Sequence, residues 1–76
     1  MTLAEILEID ATRIPADCRL AMGYLERRWR ELGSPTGVEA LTELLDKAIC
    51  FCADNELRYP KVLLLRLKQM QRGENF

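Results

Sequence analysis

With 76 residues, 49% of them hydrophobic and 30% charged, the chain reads as one small globular domain rather than a disordered or fibrous segment. A formal net charge of −1 excludes a global basic field for nucleic acid or anionic lipid. Histidine is absent, which removes the commonest general base, metal ligand and activator of a Ser or Cys nucleophile.

A domain of this size buries only about 60% of the surface its unfolded chain exposes, and oligomerisation is a common remedy. The three Cys cannot all pair within one chain, so reduced thiols and a cytoplasmic location are expected. Apolar runs such as residues 62–65 are far short of a membrane span. The first ten residues carry Glu5, Glu8 and Asp10 with no Lys or Arg, the wrong charge for a signal or transit peptide.

Thr2-Leu3-Ala4-Glu5 has the pattern of a capping box, and Leu3, Ile6 and Leu7 continue it as a short amphipathic helix over residues 3–9. Two turns are not stable alone, so this helix must dock on the others. Asp10 and Thr12 mark a connector. Pro15 suits the first turn of a second helix over residues 15–32, with Asp17 near its positive end. Along it Cys18, Met22, Leu25, Trp29 and Leu32 recur at helical spacing and form one stripe roughly 80° wide. This seam, with the only Trp, is what the other helices must cover. Gly23 inside the helix suggests close packing against a neighbour, and Gly33 ends it.

The connector Gly33-Ser34-Pro35-Thr36 is short enough to force an antiparallel hairpin. Thr36-Gly37-Val38-Glu39 has the pattern of a second capping box, opening a third helix over residues 37–55. Its apolar positions, Val38, Leu41, Leu45, Ala48 and Cys52 flanked by Leu44, Ile49 and Phe51, span roughly 160°, as for an element with neighbours on two sides. Pro60 opens a fourth helix over residues 60–72, with Gly73 as its stop and a frayed tail at residues 74–76. The whole is an all-α fold: a small antiparallel bundle of one short N-terminal helix and three longer ones, in a single domain over residues 1–76. Its core is expected at Leu3, Ile6, Leu7, Met22, Leu25, Trp29, Leu32, Leu41, Leu45, Ala48, Cys52, Leu63, Leu67 and Met70.

Charge is uneven along the chain. Residues 34–57 hold five acids and one base, and residues 58–76 hold five bases and one acid. Complementarity between neighbouring helices is the simplest reason. Glu39, Glu43, Asp46 and Asp54 share a face of the third helix, but no partner helix with a Glu-x-x-His pattern completes a metal site. Cys50 and Cys52 point about 200° apart on a helix, which suits neither one metal ion nor a relaxed disulfide. No catalytic, metal or cofactor site is therefore expected, and the chain reads as a non-enzyme.

What remains is surface. Lys61, Lys68 and Arg72 form a basic stripe on the fourth helix. A helix–turn–helix reading would put that stripe in a DNA groove, yet the first turn runs Pro-Lys-Val-Leu-Leu-Leu, apolar where base edges ask for polar side chains. Beside the stripe, Val62, Leu64 and Leu65 spread apolar surface around most of the helix, and Leu20 and Tyr24 lie opposite the Trp29 seam on the second. These eight residues, Leu20, Tyr24, Lys61, Val62, Leu64, Leu65, Lys68 and Arg72, are the expected partner interface. The expected function is a small interaction module that self-associates or docks on a larger protein. The alternative is a small nucleic-acid-binding regulator using the basic fourth helix.

Overall fold

A computed structural model describes residues 2–73, and the expected fraying of residues 74–76 lies outside them. The fold is all-α. The helices are α1 (Leu3–Ile6), α2 (Arg19–Glu31), α3 (Val38–Asp54) and α4 (Lys61–Gln71), with 3₁₀ turns at Ala11–Arg13 and Ala16–Cys18 between the first two. α2 packs on α3 and α3 on α4, so α3 is the central element.

The Thr2 capping box forms: the Glu5 amide donates to Thr2 Oγ1 at 3.3 Å, and the Thr2 amide donates to the Glu5 carboxylate at 3.4 Å. α1 then stops sooner than expected. Glu8 takes a left-handed conformation, φ 57°, and the Ile9 amide donates back to the Ala4 carbonyl at 2.9 Å. This is a Schellman ending with a glutamate in the place glycine usually holds. It swings Ile9 into the core, at 7% exposure. α1 is fixed to α2 by its first amide, since Leu3 N–H donates to a Glu26 carboxylate oxygen at 3.0 Å.

Several expected details differ. The second helix does not run unbroken from Pro15. Cys18 sits at φ −101°, ψ 1°, so the segment opens as a 3₁₀ turn and becomes α-helical only at Arg19. Pro15 caps that turn, and Pro60 likewise takes the N-cap of α4 rather than its first helical position. The second capping box does not form. The helix starts at Val38, which makes Gly37 the N-cap and leaves Thr36 one residue too early. Gly23 is not a packing glycine, for a Cβ built there meets nothing within 4 Å.

The core runs along the expected stripes, from Leu3 and Leu7 through Leu25 and Trp29 to Leu41, Leu45, Ala48, Leu63, Leu67 and Met70. Cys18 and Cys52 are buried as well. The α2 seam is turned slightly toward Ala21, which is 1% exposed, and Met22 is only half-buried. Ile6 also packs from the edge. Leu32 is 52% exposed, contrary to the stripe's extrapolation. It is the C-cap of α2, where Gly33 (φ 88°) and Ser34 (φ 53°) turn the chain away and the Ser34 amide closes on the Trp29 carbonyl at 3.0 Å. Trp29 anchors this turn a second way: its indole Nε1–H donates to the Pro35 carbonyl at 2.8 Å.

Candidate docking surfaces on either side of α3

α4 turns Leu63, Leu67 and Met70 inward. At 100° per residue that leaves Lys61, Leu65, Lys68 and Arg72 close together on the outward face. Leu65 is 57% exposed and Val62 36%, so the apolar excess of α4 is concentrated in these two side chains. Leu64 is half-buried beside the core face. Arg66 is drawn across to α1, its guanidinium 3.1 Å from the Glu8 carboxylate and 3.1 Å from Gln69 Oε1. Lys61 and Lys68 make no ion pair among the described residues.

Alongside lies a shallow groove of about 370 Å³ between α3 and α4, floored by Val38 and Met70 and walled by Glu39, Thr42, Glu43 and Asp46 from α3 and Gln71 from α4. Val38 is 47% exposed there. Glu43 is held by Lys47 at 2.9 Å, a hydrogen bond that keeps its carboxyl below the usual range. Glu39 and Asp46 have no ion pair among the described residues. Lys68 follows one turn from Gln71 along α4, and Leu65 one turn further. The groove is thus walled by acids from α3, and the basic ridge of Lys61 and Lys68 lies further round α4 from Gln71, on its outward face. The sequence pointed to both charge sets. Spacing makes Val38 the first position of the apolar face of α3, and only the register of α3 on α4 reveals its exposure.

Leu20 and Tyr24 belong to a different surface. Leu20 is 74% exposed on α2. Tyr24 is half-buried, with its ring stacked on Phe51 of α3 at a centroid distance of 4.1 Å and an interplanar angle of 6°. It lines a groove between α2 and α3 that no α4 residue reaches. The eight expected interface residues therefore lie on two surfaces, not one.

The thiols stand apart. Cys18 and Cys52 are buried, which pushes both thiols above their ordinary pKa, and Cys50 is exposed. Among the described residues no three of Cys, Asp and Glu are placed to hold a metal ion, and no helix is long and apolar enough to cross a membrane. Compared with known protein families, curated proteins and solved structures, the chain matches none.

Proposed function

We propose that this chain is a small non-enzymatic helical interaction module that self-associates through α3 and α4. The observation that carries the reading is the position of Leu65. It is 57% exposed and flanked on the outward face of α4 by Lys61 and Lys68, and the helix packed against α4, α3, carries the acidic ridge of Glu39 and Asp46. A surface with opposite charges side by side is self-complementary. A two-fold axis between two copies sets each basic ridge on the other's acidic ridge and repeats the contact. Burying Leu65 contributes about 1.5–3 kcal/mol on each side. The rim charges set register and steer encounter more than they add affinity.

Free thiols in the core suit a reducing compartment, so a cytoplasmic homodimer is the form proposed. The test is sedimentation over a wide concentration range. Wild type should shift from monomer to dimer, Leu65→Glu should stay monomeric with its helicity intact, and Lys68→Ala should weaken association only slightly. A wild-type chain that is still monomeric at high micromolar concentration overturns the reading. A second reading, a nucleic-acid-binding regulator, draws on the unpaired Lys61 and Lys68. It predicts retention on DNA or heparin that falls steeply with salt.

A further inference from the structure

The groove between α2 and α3 lies on the other side of the central helix from the self-association surface and encloses about 600 Å³. Its floor is apolar: Leu44 and Ala48 from α3 are buried beneath it, and the Tyr24 ring is braced from behind by Phe51. The apolar strip outruns the enclosed part. Leu32, 52% exposed, stands at one end, and Leu20, 74% exposed, lies one turn beyond Tyr24 at the other. From residue 20 to residue 32 the helix rises about 18 Å, the length of a dozen-residue helix rather than of a small ligand.

Charge selects the occupant. Arg28 is engaged by Glu31 at 3.1 Å and Lys47 by Glu43 at 2.9 Å, whereas Arg27, on the same rim, makes no ion pair among the described residues. The rim is therefore net positive. A second copy of the chain fits it poorly. Of its other exposed helical apolar side chains, Leu65 and Val62 bring Lys61 and Lys68 with them and would set like charges against Arg27 and Arg28, while Val38 beside Glu39 is a single side chain at the start of α3 and offers no three-turn stripe. We infer that this groove docks an amphipathic helix of another protein, one whose apolar stripe is flanked by acidic residues. Such a partner would lay three turns of apolar side chains over Tyr24, Leu44 and Ala48 and pair its acids with Arg27. This inference does not depend on self-association, because the two surfaces share no residue but the paired Glu43.

The test uses two designed helical peptides, each with a one-sided Leu stripe, one flanked by Glu and the other by Lys. Each is titrated into the full chain by fluorescence anisotropy and amide chemical-shift mapping. The acidic peptide should bind saturably and at least about tenfold more tightly than the basic one, with shifts centred on Tyr24 and Arg27. Arg27→Glu should narrow or reverse that preference. Ala40→Glu, on an exposed groove position, should abolish binding while the circular dichroism spectrum stays that of wild type. Leu65→Glu should bind the acidic peptide as wild type does, which separates this site from the dimer surface. Equal binding of both peptides, shifts centred on α4, or no saturable binding by the acidic peptide overturns the inference.

Discussion

The Glu8 carboxylate meets the Arg66 guanidinium at 3.1 Å and joins the end of α1 to the middle of α4 across most of the chain. Arg66 contributes the buried half of the pair, with a side chain only 11% exposed, and Glu8 the exposed half at 56%. Glu8 does this from a left-handed backbone that favours glycine. The two effects oppose each other and can be separated. Glu8→Ala loses the ion pair and keeps the strain, while Glu8→Gly loses the pair and relieves it. In urea melts Glu8→Gly should be more stable than Glu8→Ala by about 1 kcal/mol. Equal stabilities would show that the left-handed residue carries no strain.

Trp29 should be the costliest side chain to truncate. It is 3% exposed and donates its indole N–H to the Pro35 carbonyl. Trp29→Ala should cost about 3–5 kcal/mol, enough to unfold a domain of this size. Trp29→Phe keeps most of the apolar volume, leaves the Pro35 carbonyl without its donor, and should cost about 1–3 kcal/mol. A cooperative melt near wild type for Trp29→Ala would contradict the seam as the organising element.

Gly23 is the place where the chain can gain stability. It lies inside α2 with open space where a Cβ would go. Gly23→Ala should raise the unfolding free energy by about 0.5–1 kcal/mol through helix propensity alone. Destabilisation would mean that another surface approaches the helix closely at that point.

The thiols report the phase of α3. Cys50 should react with a thiol reagent in the native state, and Cys52 and Cys18 only on unfolding. Burial raises the pKa of both hidden thiols, so the little access they have meets little thiolate. Labelling that reaches Cys52 before Cys50 contradicts the orientation of the helix.

What was legible in the sequence, and what was not, divides along physical lines. Mid-helix stripes follow a 3.6-residue period, so spacing alone places Leu25, Trp29, Leu45 and Leu67 in the core, where they are buried. The errors collect where that period stops. Spacing puts Leu32 in the core and Ile9 outside it, and the structure reverses both, because α2 and α1 both end in left-handed residues that redirect the chain. At Gly33 a glycine announced the turn, whereas at Glu8 and Glu56, both left-handed, no residue type did. The Thr36 capping pattern failed for a related reason: a one-residue shift in the start of α3 gave the cap to Gly37. Of the surfaces, the charge ridges could be read from composition, since Lys61, Lys68, Glu39 and Asp46 lie on polar faces of their own helices. The groove under Arg27 and the inward turn of Tyr24 onto Phe51 depend on the register of α2 against α3, which no local pattern encodes.

The central claim is that the basic ridge of one copy meets the acidic ridge of another, and charge reversal tests it most directly. One variant carries Lys61→Glu and Lys68→Glu, and the other carries Glu39→Lys and Asp46→Lys. Alone, each variant sets like charges against like at both symmetric contacts and should sediment as a monomer where wild type is a dimer. Mixed in equal amounts, they restore opposite charges at both contacts and should recover the dimer. If the mixture stays monomeric while both variants remain helical, or if either variant alone dimerises as wild type does, the two ridges do not meet and the account is contradicted.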